Sequence, residues 1–415
     1  MGEVLRLVSN HNPTYAYQYC DRWLRALLST NITNLGPITK SSQIYLELGK
    51  VINIRCKTSK NSQRSIFSLN SDAVQWALDA VLSRLATQEE LNPVLNPGLE
   101  LLKLCLDYST EDPLLLSVLL SCISSLFVVV TVTPAALHPT LNCIFKCITF
   151  SNSNSNSEEI KALRRHGCAL MVKIATRHPT TLVPVFDHLR QTIVDDLFIK
   201  SKALFKMEFV TLVEGLVLIS NEFQNFDVQS RFIETLAKPV CDKLKSLEPH
   251  FLTPQAFSTF VGLDGSKDCS EQRSEVSFCL HFLVSLLRRV AVPNDLLKCR
   301  ISGFVDSTVT EVLAIRNPAG VVGCHVLSTI LKLTKTFIDL FNVRNVYPKV
   351  FDMLDFEKAV VQGQSAKEAD SNSDNGDNSD QAANAINEDT TKKLQMFAFE
   401  QFENLFHILA QFCSR

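Results

Sequence analysis

The sequence predicts an all-α fold, an array of stacked antiparallel helix pairs. Three observations carry that expectation. Apolar residues recur at helical spacing through most of the 415 residues, and few stretches alternate with period two. Glycine is scarce, at 13 residues, which argues against the glycine-rich turns of a doubly wound sheet or barrel enzyme. Helical segments also come in pairs, over 96–130, 134–178, 181–223 and 229–262. Pairs at roughly 40-residue steps are the mark of HEAT or armadillo arrays, so the fold class is a HEAT-repeat-type α-solenoid. Such an array curves, and its concave wall is an extended binding surface.

Taken in order, a first helix covers 15–29, with Trp23, Leu24, Leu27 and Leu28 on its apolar side. Residues 30–64 are mixed. They hold Gly36-Pro37, a short helix around 44–52 and a basic polar loop at 55–64. Ser71-Asp72 caps a helix to about 85. Helices follow over 96–109, 113–130 and 134–149, each announced by proline in or just before its first turn. The run 113–130 is apolar enough to weigh as a membrane span. Ser117, Ser121, Ser124 and Ser125, and the Asp112-Pro113 start, identify it as a buried core helix instead.

The tract 151–157 (SNSNSNS) is a flexible loop feeding a helix over 158–178. That helix carries an unusual load of positive charge. Ile160, Leu163, Gly167, Leu170, Met171 and Ile174 share one face, and Glu158 and Glu159 complement the dipole at its start. Lys161 and Arg165 project together with Arg164 alongside, and His166, Lys173 and Arg177 line a second strip. One side can dock into a core while the other offers cations to an anion.

Further helices are expected over 181–199, 203–223, 229–246, 254–262 and 271–291, with Thr253-Pro254 as an N-cap pair. A less regular stretch spans 293–316. Asn317-Pro318 then opens a long helix to about 341, and Tyr347-Pro348 another ending near 361. Residues 362–392 are rich in Asn, Ser, Asp and Ala and read as a disordered acidic insert. The organisation is thus a solenoid over 1–361, the insert, and a continuation over 393–415 with Phe397, Phe402, Leu405, Phe406 and Leu409 on its apolar side.

A net charge of −2 confines any polyanion site to a local basic patch. Thirteen cysteines scattered singly in apolar runs, such as Cys105, Cys122, Cys279 and Cys324, fit reduced, buried thiols in a cytosolic or nuclear protein. Cys143 and Cys147 stand one turn apart, with no further ligands to complete a zinc site. Met1 is followed by no basic-then-apolar run, and Arg6 stands where a myristoylation signal has Ser or Thr. GxSxG, P-loop and HExxH motifs are absent, and the nine histidines are dispersed, which points away from an enzyme. His281 and His325 lie in apolar helices and read as satisfied core residues.

Collinear runs along the chain carry a resemblance. They are Gly2-Glu-Val-Leu-Arg-Leu, Arg22-Trp-Leu, Ser65-Ile-Phe-Ser with Val74-Gln-Trp76, Asp112-Pro-Leu-Leu-Leu-Ser117 and Arg164-Arg-His166. Leu216-Val-Leu-Ile-Ser-Asn221 with Phe223 and Asn225 is the most specific. Phe260-Val-Gly262, Val276-Ser-Phe-Cys279, Ile315-Arg-Asn-Pro318, Asp352-Met-Leu-Asp355 with Glu357-Lys358, and Phe406-His-Ile-Leu409 continue the order. The chain resembles the central part of the exportin-5 family of importin-β-type nuclear export receptors.

That resemblance implies HEAT repeats within a longer parent chain and shuttling between nucleus and cytoplasm. It also implies dependence on Ran-GTP, contact with nuclear pore proteins, and no cofactor. The implied cargo is double-stranded RNA, a pre-microRNA-like hairpin with a short 3′ overhang held in a basic tunnel and a stem on the concave wall; tRNA-like or protein cargo is a further possibility. By the resemblance, Arg164 and Arg165 fall on a tunnel helix, and Arg288 and Arg289 match a basic pair ending another inner helix. The candidate RNA-binding set is therefore Lys161, Arg164, Arg165, Lys173, Arg177, Arg288 and Arg289. Glu222 departs from the family's glutamine, and a carboxylate there repels phosphate. The competing readings are another karyopherin with protein cargo, or a HEAT-repeat scaffold.

Overall fold

The computed structural model describes residues 12–29, 78–79, 81–82, 88–152, 157–263, 269–305, 315–342 and 380–413. The basic loop 55–64, the runs at 65–68 and 74–76, and the helix expected at 348–361 lie outside them. The described residues are helical, with one isolated antiparallel bridge between Val305 and Ile315. They divide into two compact units, Met1–Ile219 and Ser220–Arg415.

In the first unit, α1 (Pro13–Ser29) packs on α2 (Gln88–Asp107), and α2 on α3 (Pro113–Thr131). Both α3 and α4 (Leu137–Ile148) then pack on α5 (Ser157–Arg177). Two boundaries differ from the sequence reading. The second helix starts well before 96 and runs through Pro93 and Pro97. A proline removes one backbone bond and crowds the preceding turn, a local cost that burial of Val94, Leu101, Leu102 and Cys105 outweighs. The helix expected over 181–199 is instead segmented around Pro184. It comprises Pro179–Leu182, a 3-10 turn at Val183–Val185, Phe186–Arg190 and a π-helical stretch, Gln191–Lys200. Phe198 from that stretch stacks on Phe209 of α6 (Lys206–Ser220), ring centroids 3.8 Å apart.

α3 is a core helix, as expected. Asp112 caps it by accepting from the Leu114 amide at 2.9 Å, and Pro113 opens it. By length and composition alone α3 could cross a membrane, as could Gly320–Leu340. Here Leu115, Leu119, Leu120, Ile123, Leu126, Phe127 and Val130 are buried between neighbouring helices.

In the second unit, Asn225 and Thr253 cap α7 (Phe226–Ser246) and α8 (Pro254–Val261) through the amides of Val228 and Ala256. Gly262 closes α8 at φ 71°, a conformation that costs glycine little. α7 packs on α9 (Ser270–Arg289) and on α10 (Gly320–Asn342). α11 (Asp380–Cys413) packs on α9 and α10. Phe257 joins the layers, its ring 4.9 Å from Phe337 and 6.0 Å from Phe251. The helix α11 begins at Asp380, inside the stretch read as a disordered insert. Its alanine-rich start has the propensity to extend a helix already anchored by Leu394, Ala398, Gln401 and Leu405. Residues 362–379 lie outside the described residues.

Of the cysteines cited for burial, Cys105, Cys122 and Cys279 are buried, while Cys324 is exposed on α10. That apolar run presents one of its sides outward.

Gly167 sets the spacing of α5 and α4. A Cβ there would stand 2.7 Å from Ile148 Cγ1 and within 4 Å of the Ile148 amide and Ile144 carbonyl. Gly167→Val is expected to lower the stability of the first unit by roughly 1–3 kcal/mol through overpacking. Thermal unfolding of the variant measures this; a melting temperature equal to that of the parent contradicts the close approach.

Candidate nucleic-acid interface

The helix α5 has a dry side and a wet side. Leu163, Gly167, Leu170, Met171 and Ile174 are buried against α3 and α4. Lys161, Arg165, Lys173 and Arg177, with Glu158 and Glu159, occupy the rest. Glu158 and Glu159 sit in the first turn and Arg177 in the last, the arrangement the helix dipole favours.

Arg164 and Arg165 are neighbours with opposite fates. Arg164 is 6% exposed. Its Nε donates to Glu208 Oε1 at 2.8 Å, and its Nη2 to Glu208 Oε2 at 2.5 Å and to the Ala203 carbonyl at 2.6 Å. The guanidinium lies over the Phe205 ring, 4.9 Å from its centroid. Glu208 Oε2 also accepts from the Phe205 amide at 2.9 Å. This fork-to-carboxylate pair joins α5 to the start of α6 and occupies the donors that a phosphate would need. The expectation that Arg164 contacts RNA therefore meets a buried side chain whose Nε and Nη2 are already engaged. About 100° around the helix, Arg165 is exposed.

The remaining cations form two pairs, each four residues apart. Lys161 is exposed with Arg165 and contacts Glu158 at 2.8 Å; its hydrogen bond holds the Glu158 carboxyl below the ordinary carboxylate value. Lys173 and Arg177 lie 3.8 and 3.6 Å from Asp79 Oδ1. At ~100° per residue the two pairs are offset by about 120°, so all four wind along the wet side. Exposed ion pairs contribute little, typically ~0–1 kcal/mol, so these contacts leave the cations open to exchange for a stronger anion. His166 turns toward α3 instead. Its Nδ1 lies 2.7 Å from Ser117 Oγ and its Nε2 3.5 Å from Ser121 Oγ. Burial, with Lys173 nearby, lowers its pKa and keeps the ring neutral at pH 7.

In the second unit, Arg288 and Arg289 are exposed in the last turn of α9, where cations suit the dipole. The structure brings this turn beside Glu222. Asn221 Nδ2 donates to the Arg289 carbonyl at 2.9 Å, and its Oδ1 accepts from the Ala291 amide at 3.0 Å and from Gln229 Nε2 at 2.8 Å. Asn221 thus pins the end of α9 to the 3-10 turn Asn221–Phe223, which carries Glu222. Asn221 stood inside the most specific sequence run, but its role depends on partners 68 and 70 residues away. His281 and His325 are half-buried, with Nε2 at 3.2 Å from Glu400 and 3.1 Å from Glu234. Among the described residues no His, Cys, Asp or Glu cluster could hold a metal ion.

All of residues 1–415 match the family model described as Exportin-5. The chain belongs to the Exportin-5 family. Human Exportin-5 is 29% identical over 442 aligned positions, covering 99% of this chain and 34% of the human protein. Mouse Exportin-5 is 28% identical over 447 positions, with coverage of 99% and 34%. The chain thus spans about a third of the length of these Exportin-5 relatives. The helical architecture is the HEAT-repeat type of the exportin family.

Removing one partner of a buried ion pair strands the other. Arg164→Ala or Glu208→Ala is expected to destabilise the first unit by about 3–5 kcal/mol, and the double change to leucines by less than either. Urea unfolding of the three variants checks this; single variants as stable as the parent contradict the pairing.

Proposed function

We propose that this chain is a segment of a nuclear export receptor that grips short double-stranded RNA by its backbone. The wet side of α5 is the principal contact, through Lys161, Arg165, Lys173 and Arg177. The observation that carries this reading is a single helix holding four outward cations while its other side is locked into the core. Double-stranded RNA is recognised mainly by its shape and by phosphate and 2′-hydroxyl contacts, which calls for fixed cations and not for a base-reading element. Arginine suits the role because its planar fork spans two phosphate oxygens. Membership of the Exportin-5 family supports the same assignment.

In this reading Arg164 is a positioning residue: it orients Arg165 without touching RNA. Arg288 and Arg289 form a second contact on a basic concave surface, tempered by Glu222, whose turn adjoins theirs. The cargo class is a pre-microRNA-like hairpin. Ran-GTP dependence, nuclear pore contact and nucleocytoplasmic shuttling complete the proposal.

Filter binding with a short RNA duplex bearing a 3′ overhang tests it. Affinity is expected to fall steeply with salt, as released counterions demand. Each of Arg165→Ala, Lys173→Ala and Arg177→Ala should weaken binding and reduce the log–log salt slope by about one. Affinity insensitive to salt, or equal in all variants, overturns the assignment.

A further inference from the structure

Between the π-helical stretch and α6 the chain makes a turn that is tied down along its length. The Ser201 amide donates to the Asp196 carbonyl at 2.9 Å and the Ala203 amide to the Leu197 carbonyl at 2.8 Å. The Ala203 carbonyl accepts from Arg164, and the Phe205 amide donates to Glu208. Within this frame Lys202 stands at φ 53°, a left-handed conformation that costs a lysine free energy. Strain of that kind persists where the surrounding bonds impose it, and here it lies under an exposed cation.

The turn also carries an aromatic ring that the core does not use. Phe205 is 63% exposed, and Ile199 and Met207 on either side of it are exposed as well. The Arg164 guanidinium covers one face of the Phe205 ring, 4.9 Å from its centroid, so exposure this large leaves the opposite face open. A ring fixed from behind and open in front is a platform for a second flat group. Charge decides which group. Lys200 and Lys202 are exposed beside the ring, and Lys161 and Arg165 lie about 60° and 100° around α5 from Arg164. The carboxylates of this stretch are taken up in ion pairs, Asp195 with Arg190 at 3.4 Å and Asp196 with Lys200 at 2.7 Å. The second pair is exposed and exchanges readily for a stronger anion. An open aromatic face among cations suits an unpaired nucleotide, whose base stacks while its phosphates meet the ammonium groups. An acidic peptide would use the lysines and leave the ring idle. A paired stem buries its base faces, so this contact differs in kind from the backbone grip of α5.

We propose that Phe205, flanked by Lys200 and Lys202, stacks an unpaired RNA base and so gives the first unit a single-strand contact beside α5. The proposal rests on the RNA-binding reading of α5 for the class of ligand, and two probes separate them. A short single-stranded RNA containing 2-aminopurine, titrated with the full chain at low salt, reports stacking by fluorescence quenching. A blunt RNA duplex reports the α5 contact alone. The parent is expected to bind and quench the single-stranded probe. Phe205→Ala should weaken that binding by about five- to a hundredfold and abolish quenching, and Phe205→Tyr should retain both. Neither should alter affinity for the blunt duplex. Lys202→Gly relieves the left-handed backbone, so it should keep or raise the melting temperature while weakening the single-stranded probe several-fold. A probe that the parent fails to bind or quench overturns the proposal. So does binding equal in the parent, Phe205→Ala and Lys202→Gly, even where the blunt duplex binds and responds to Arg165→Ala. Loss in Phe205→Tyr as large as in Phe205→Ala also counts against stacking. Phe205-dependent quenching without blunt-duplex binding upholds the platform and removes the α5 reading instead.

Discussion

Rotation of α5 about its own axis is what the first unit cannot allow, and the Arg164–Glu208 pair forbids it. Both carboxylate oxygens, a backbone carbonyl and an aromatic face hold one guanidinium. Turning the helix by one residue would carry Arg164 away from Glu208 and strand a buried carboxylate. Desolvating two charges is costly, so such a pair adds little net stability compared with apolar packing. Its effect here is on register. Gly167 acts in the same direction from another side, since only a missing side chain permits α5 to lie so close to Ile148.

With the helix fixed, the positions of the other cations follow from helical geometry. Arg165, Lys161, Lys173 and Arg177 reach solvent because the residues between them are committed to the core. Their acidic neighbours Glu158 and Asp79 lie at the surface, where exchange of partners is inexpensive. In the second unit a neutral side chain does comparable positioning work. Asn221 satisfies groups on both sides of the α9 terminus and so places Arg288 and Arg289 next to the turn bearing Glu222. Cations and carboxylate therefore share one neighbourhood, which tempers the field there.

The helices were legible in the sequence because their apolar spacing and their caps agree, as at Asp112-Pro113 and Thr253-Pro254. Boundaries failed where one residue type has two meanings. Pro97 was read as a helix start but lies within α2, whereas Pro184 marks a real break. The alanine-rich residues after Asp380 were read by their acidic company and not by their helix propensity. At the candidate site, spacing showed that α5 has a basic side. It could not distinguish Arg164 from Arg165, because the deciding partner, Glu208, is 44 residues away. Asn221 escaped notice for the same reason. Long-range pairing, not local pattern, separates a structural cation from an available one.

The central claim is that the wet side of α5 meets RNA while its arginine lock stays buried. Lysine acylation of the chain with and without a short RNA duplex at low salt, read residue by residue, addresses it most directly. The account predicts that RNA protects Lys161 and Lys173 and leaves Lys243, on α7 of the other unit, reactive. Unchanged reactivity at Lys161 and Lys173 under saturating RNA would contradict it.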